Sequence, residues 1–164
     1  MTNELLKSYT KRITSASRSE LVVIIYEVIL TDLNDSIEAF DQGNSVQFEK
    51  SLKHSKRFLK ELMASLDYRH KISYELMSLY IYVDKLIVAA MFQKNKNLIE
   101  DVIIIMKDLM IGFEGVSKED STGPVMKNTE QIYAGLTYGK GVLNEISLDD
   151  TSLYSVSSKR GFKA

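Results

Sequence analysis

The side chain in this sequence that is best suited to take part in a chemical reaction is His54. It lies within a basic stretch of one predicted helix, formed by Lys50, Lys53, Lys56, Arg57 and Lys60. An exposed imidazole beside lysines can accept a phosphoryl group, as in histidine phosphotransfer bundles. The residues after His54, Ser55-Lys56-Arg57, lack the Leu-Lys-Gly expected of that class. Phosphotransfer through His54 therefore stands as an alternative function.

Other sites for catalysis or metal binding are weak. His70 follows Asp67 by three positions, but one such pair supplies two ligands where a metal site needs three or four. The stretch 32–35, Asp-Leu-Asn-Asp, lacks the Gly of a calcium loop and is predicted to be a solvated helix face. The absence of Cys excludes thiolate ligands, and no phosphate-binding Gly-rich loop precedes residue 112. We predict no enzyme, no metal and no cofactor.

The overall charge argues against nucleic acid as a partner. With 21 basic and 22 acidic residues, the net charge is -1, so the basic face around His54, with Phe58 nearby, is predicted to be a solvent-exposed surface. The first residues lack a signal-peptide layout, and no apolar run reaches the ~18 residues of a membrane span. We expect a cytoplasmic protein without membrane insertion.

The elements that would position these side chains are helices. Seven of eight Gly and the single Pro lie at residue 112 or later, and both residue types are unfavourable inside helices. Ser17 and Glu20 have capping-box spacing, and Gly43 can end the helix they begin. Four helices are predicted, with these bounds: 18 to about Asp41, Asn44 as cap to about Tyr68, 72–93, and Asn97-Leu98-Ile99-Glu100 as capping box to about Glu114.

Two β-branched runs, 22–25 and 102–105, favour strands by propensity. The first follows a helix cap and continues into Ile29, Leu33, Ile37 and Phe40, whose steps of three and four are helical. We therefore predict helix in both places.

The fourth helix carries more apolar residues than one bundle face needs. Leu98, Val102, Ile105 and Leu109 form one stripe, Ile99, Ile103, Met106, Met110 and Phe113 form a second, and Ile104 and Ile111 widen the surface. Such a helix is either buried centrally or lines a groove that another chain fills. Adaptable Met residues and the Tyr residues of the third helix favour the groove.

Several short motifs resemble the flagellar export chaperone family FliS. They are Ser15-Ala16-Ser17, Leu21-Val22, Ile24-Ile25-Tyr26-Glu27, Gly43-Asn44, Glu61-Leu62, Ser65-Leu66-Asp67, Leu76, Leu79-Tyr80, Tyr82, Leu86 and Ala89. They cover about residues 9–113 in the family's order and spacing. Arg18 stands where the family has Pro. A Pro at this position presets the backbone of the first helical turn, and the capping box can stabilise that turn instead.

The resemblance implies an all-α, antiparallel four-helix bundle that is not an enzyme. It implies a bacterial cytoplasmic chaperone that binds the disordered C-terminal segment of flagellin and prevents polymerisation before export. The expected client groove comprises Leu21, Ile25, Tyr26, Leu66, Leu79, Tyr80, Val102, Met106 and Leu109. In the family the segment before the first bundle helix can cover part of the groove, and here Tyr9 and Ile13 offer it apolar anchors.

The chain divides by composition into an N-terminal cap segment, 1–17, a bundle, 18–115, and a Gly- and Ser-containing extension, 116–164. The extension carries apolar residues that suggest packing on the bundle, even in place of the client: Ile132, Tyr133, Leu136 and Leu143. Other flagellar export or regulatory proteins are further candidate partners. A helical oligomerisation adaptor, forming a homodimer through its wide apolar stripes, stays open as a second alternative.

Overall fold

The computed structural model describes the backbone of residues 3–126 and the side chains of residues 7–126. This part of the chain is all-helical, without strands. Its helices are α1 (Asn3–Ser15), α2 (Arg18–Asp41), α3 (Ser45–Ala64), α4 (Ile72–Gln93) and α5 (Lys96–Glu119). The all-α prediction is thus confirmed for the described residues, and the cap segment contains an additional helix.

The start and end of α2 follow the sequence signals. The Ser17 hydroxyl accepts from the Glu20 amide, and the Ser17 amide donates to Glu20 Oε2 at 2.7 Å, which completes the predicted capping box. Gly43, at φ 69°, supplies the left-handed conformation after α2, and Asn44 then caps α3 by accepting from the Gln47 amide at 3.0 Å. Both β-branched runs lie inside helices, as predicted.

Two predicted helix boundaries were wrong. α3 ends at Ala64 rather than near Tyr68, because the following residues form turns in which Asp67 accepts from the Arg69 backbone and side chain. The cap of α5 is Asn95, whose side chain accepts from the Asn97 amide at 3.0 Å. Asn97 itself lies inside the helix.

The C-terminal end of α5 also differs from prediction. The helix continues five residues beyond Glu114 to Glu119 and passes through Gly112 and Gly115. Two glycines weaken a helix by about 1 kcal/mol each, but Met110 and Phe113 pack on the core from the same turns. Tertiary packing outweighs propensity here, and the predicted domain boundary near Gly115 falls inside a helix.

The core lies among the last four helices. α2 packs most closely on α3 and α5, and α4 contacts both of those helices, whereas α1 packs sparsely on α2. Among the fully buried side chains, the hydroxyls of Tyr26 on α2 and Tyr80 on α4 are 2.5 Å apart. Burial is the main cause that raises the pKa of both tyrosines, so both stay neutral and the pair satisfies its own polar groups.

The residues after α5 return to the junction between α1 and α2. The Val125 amide donates to the Ala16 carbonyl at 3.0 Å. The Asp120 carboxylate accepts from Ser19 at the N-terminus of α2 and from the Thr122 amide, and these bonds lower the pKa of Asp120. A carboxylate at a helix N-terminus is electrostatically favourable. Residues 127–164, including the candidate tail residues Ile132, Tyr133, Leu136 and Leu143, lie outside the described residues.

Candidate functional site

An apolar cleft lies beneath α1, and we call it the α1 cleft. Its volume is about 340 Å³. Three helices line it, with Tyr9, Thr10 and Ile13 from α1, Leu21, Ile24, Ile25 and Val28 from α2, and His54 and Phe58 from α3. Because hydrophobic and aromatic side chains dominate the walls, the α1 cleft suits an apolar side chain or one face of a helix.

The two predicted cap residues both reach this cleft. Tyr9 is buried against Ile24 and Val28, whereas the Ile13 side chain is partly exposed. These positions are four apart and therefore share one face of α1. That they anchor the N-terminal segment stays a prediction.

One ion pair holds α1 to α2 at the surface. Arg12 Nη1 lies 2.5 Å from Glu27 Oε2, and Arg12 Nη2 lies 2.8 Å from Glu27 Oε1. The bond to Glu27 is the main cause that raises the pKa of Arg12, so the guanidinium keeps its charge. An exposed pair of this kind contributes about 0.2–1 kcal/mol, even with favourable bidentate geometry. The ion pair therefore fixes the register of α1 on α2 but adds little free energy.

His54 is half-buried at the edge of the cleft and has a structural partner. Its Nδ1 lies 2.6 Å from Asp32 Oδ2, and its ring meets Phe58 edge-on at a centroid distance of 5.0 Å. Asp32 is buried, so its predicted position on a solvated face was wrong, because His54 from α3 faces it. Burial raises the pKa of Asp32, and the bond from His54 opposes that rise.

The expected groove residues fall into three groups. Leu21 and Ile25 line the α1 cleft together with Tyr9 and Ile13. Another three, Leu66, Leu79 and Leu109, are partly buried. The remaining four are enclosed in the core: Tyr26, Tyr80, Val102 and Met106. In this conformation a partner cannot touch the last group without opening the core.

The expectation also left out residues that complete the cleft. Ile24 and Val28 lie three and seven positions after Leu21, and Phe58 lies four after His54. The helical period of α2 identifies the first two, because they continue the face that begins at Leu21. Nothing in the sequence pairs Phe58 with α2, since that contact depends on how α3 packs.

Outside the cleft, α4 and α5 expose large apolar side chains. Tyr74 and Ile81 on α4 are 59% and 44% exposed, and Ile104 and Ile111 on α5 are 60% and 63% exposed. Each pair is seven positions apart and shares a helix face. The apolar excess predicted for the last helix therefore reaches solvent, beside its buried stripe of Ile99, Val102, Ile103 and Met106.

Among the side chains of residues 7–126, no three His, Asp or Glu are grouped closely enough to hold a metal ion. No helix in that range combines the length and the apolar character that crossing a membrane requires.

Within the described residues, fold and site together define a class: an all-helical protein whose first helix lies over an apolar cleft. The family model described as flagellar protein FliS matches residues 1–120, and the chain belongs to the FliS family. That family consists of flagellar export chaperones for flagellin and is not known as one of enzymes. No curated protein matches the chain closely enough to count as a relative.

Proposed function

We propose that this protein binds the C-terminal segment of flagellin in the bacterial cytoplasm and prevents its polymerisation before export. In this proposal α2–α5 form an antiparallel four-helix bundle, consistent with the contacts of α2 with α3 and α5 and of α4 with the same two helices. Other flagellar export or regulatory proteins are further partners of the proposed chaperone.

The observation that carries the proposal is the α1 cleft with its weakly held cover. Its walls are apolar, while α1 is attached by sparse packing, one exposed ion pair and the Tyr9 contact. A client helix that places its own apolar side chains in the cleft can replace Tyr9 and Ile13. Displacement of α1 then exposes Leu21 and Ile25 fully to the client.

A long client also explains the exposed side chains of α4 and α5. The α1 cleft accommodates a short helical segment, whereas the apolar residues on α4 and α5 lie outside it. A disordered chain that folds on binding can cover separate surfaces. If it buries roughly 1,000 Å² of apolar area, the gross gain is about 25 kcal/mol, much of which ordering and association offset.

The test is calorimetric titration with a peptide from the C-terminus of the flagellin encoded in the same genome. We expect one-to-one binding with a strongly negative heat-capacity change. The Leu21→Ala, Ile25→Ala double variant is expected to weaken binding about tenfold or more. The Tyr9→Ala, Ile13→Ala double variant of α1 is the opposite case, since weakening the cover is expected to raise the affinity for the peptide.

The matched control removes the same kind of surface elsewhere. Val46→Ala deletes an exposed apolar side chain of α3 that does not line the α1 cleft, and circular dichroism checks that all variants fold. Saturable binding that is insensitive to the cleft variant places the client elsewhere and removes the α1 cleft from the proposal. Absence of any binding removes the flagellin assignment itself.

A separate experiment tests whether the protein prevents polymerisation. Flagellin seeded with filament fragments is followed by light scattering with and without an equimolar amount of the chaperone. We expect suppressed growth with the native protein and restored growth with the cleft variant. Unchanged growth at saturating chaperone contradicts the protective role even if binding is found.

A further inference from the structure

A second groove lies between α3 and α4, on a face different from that of the α1 cleft. It has a volume of about 460 Å³. α3 lines it with Lys53, Lys56, Arg57 and Lys60, and α4 lines it with Val88, Met91 and Phe92. None of these residues lines the α1 cleft, where α3 contributes His54 and Phe58 instead. We call it the α3–α4 groove.

The basic side chains of this groove are only partly neutralised. Lys56 Nζ lies 3.2 Å from Asp84 Oδ1 of α4, and the two form an ion pair. Lys53 faces Glu49 at 3.5 Å, but the same carboxyl lies closer to Lys94, at 2.8 Å. Arg57 and Lys60 are exposed and form no ion pair with any described residue. Two to three positive charges therefore face the groove without a full counter-charge.

The opposite wall is apolar and partly uncovered. Phe92 is 85% exposed, and Met91 and Val88 are half-buried beside it. An exposed aromatic ring next to an unpaired Arg combines the residue types that are enriched where binding energy concentrates in protein interfaces. Met adds a flexible surface that adapts to a partner side chain.

We propose that the α3–α4 groove binds an acidic segment of a partner protein that carries an apolar anchor. Its carboxylates pair with Arg57, which can form two parallel hydrogen bonds, and with Lys60 and Lys53. Its apolar side chain packs on Phe92 and Met91. The α3–α4 groove is distinct from the α1 cleft, because the two share no lining residue.

The chemistry of the groove favours protein over nucleic acid. Asp84 and Glu49 lie among the basic residues and repel a phosphate backbone, whereas an acidic peptide can place its few charges at Arg57 and Lys60 alone. The apolar wall formed by α4 also matches an aliphatic or aromatic side chain. Charge complementarity therefore selects a peptide with separated carboxylates and an apolar residue between them.

The test uses a synthetic amphipathic peptide of about 14 residues with Leu and Phe at helical spacing and Glu at the other positions. Fluorescence anisotropy measures its binding to the 164-residue chain. Arg57→Gln with Lys60→Gln is expected to weaken binding about tenfold, and Phe92→Ala about fivefold. All three side chains are exposed, and Lys60→Gln alone serves as a milder variant. Binding is also expected to weaken as salt rises from about 50 to about 300 mM.

Two controls make the result specific. Lys107→Gln with Lys118→Gln removes the same charge from exposed positions of α5 and is expected to change affinity by less than about twofold. The same peptide with Gln in place of Glu is expected to bind at least about tenfold more weakly. Equal binding of the Gln peptide, or an equal loss in the α5 variant, overturns the proposal. Tighter binding of a short oligo-uridine that depends on Arg57 and Lys60 also overturns it, in favour of nucleic acid.

Discussion

The two sides of α2 contact their neighbours in opposite ways. Toward α3 and α5, α2 contributes fully buried side chains such as Ile29 and Leu33 to one continuous core. Toward α1, the same helix meets sparse packing, an apolar cleft and the exposed Arg12–Glu27 ion pair. The first interface holds the fold together, whereas opening the second uncovers the smaller cluster that Tyr9 forms with Ile24 and Val28.

The two interfaces differ in how much each of them stabilises the fold. Burial and close packing stabilise a water-free core, so the loss of a single methylene group lowers its stability. A helix held at one edge loses little when it leaves, since the cleft it covers is already incompletely filled. An element attached in this way belongs to the low-stability end of the molecule, from which moving parts are drawn. The predictions below test that contrast.

The largest expected effect comes from the same substitution placed in the two regions. Leu59→Ala in the core is expected to lower the free energy of unfolding by about 3 kcal/mol, and Leu21→Ala at the cleft by about 1 kcal/mol or less. Leu59 is fully buried, whereas Leu21 is half-buried beside a cavity. Urea denaturation measures both values. Equal losses would show that α1 and α2 pack as tightly as the core.

The buried tyrosine pair sharpens the description of the core. Tyr26→Phe leaves the Tyr80 hydroxyl without its partner at 2.5 Å, so we expect a loss of about 1–2 kcal/mol in the free energy of unfolding. The double variant, with Tyr80→Phe as well, removes both polar groups and should recover much of that loss. A double variant as unstable as the sum of the single ones would mean that the hydroxyls act independently.

Asp32 connects the two regions through His54, and its titration predicts a pH effect. Because burial raises the pKa of Asp32, the native state binds more protons than the unfolded state above the ordinary Asp value of about 3.9. The free energy of unfolding therefore falls as pH rises through that window. Asp32→Asn removes this contribution. Because only one proton is involved, the slope of the free energy of unfolding against pH changes by at most about 1.4 kcal/mol per pH unit.

The measurement for Asp32 is a series of urea midpoints between about pH 4 and about pH 6. Carboxyls with lowered pKa, such as Asp67, act in the opposite direction but are present in both proteins, so they cancel in the difference. Asp101→Asn, an exposed position on α5, is the control. Parallel curves for the native protein and Asp32→Asn would contradict the prediction.

The smallest expected effect concerns the ion pair that attaches α1. Arg12→Gln removes both contacts to Glu27, and we expect the affinity for the flagellin peptide to rise about two- to fivefold, because an exposed pair contributes about 0.2–1 kcal/mol. Titration calorimetry measures the change. Exchanging the charges, Arg12→Glu with Glu27→Arg, should restore the original affinity. A lower affinity in the Arg12→Gln variant would mean that Arg12 binds the client directly.

Much of the fold could be read from local signals, because these act within a few residues. The capping box at Ser17, the left-handed Gly43 and the cap Asn44 are used as predicted. The errors arose where local and distant forces compete. α5 continues through Gly112 and Gly115 because its neighbours contribute to the core, and Asn95 rather than Asn97 caps it because both are good caps and only the path of the chain selects one.

The site was predictable in its residue types but less so in its membership. Tyr9, Ile13, Leu21 and Ile25, which the family resemblance named, lie in one cleft. Tyr26 and Tyr80 have the same character, yet they face each other in the core. When a helix is apolar on nearly all sides, its sequence does not indicate which face a neighbouring helix covers.

By itself, the amino-acid sequence determined the helical class, most helix starts and the excess of apolar surface, since propensity, capping and periodicity are properties of short segments. The tertiary structure alone decided which part of that surface is sealed, that α1 covers a cleft, that His54 meets Asp32 and that Arg57 and Lys60 stand beside Phe92. These contacts join residues from different helices, so they depend on how the helices pack against one another and not on the preferences of any single one.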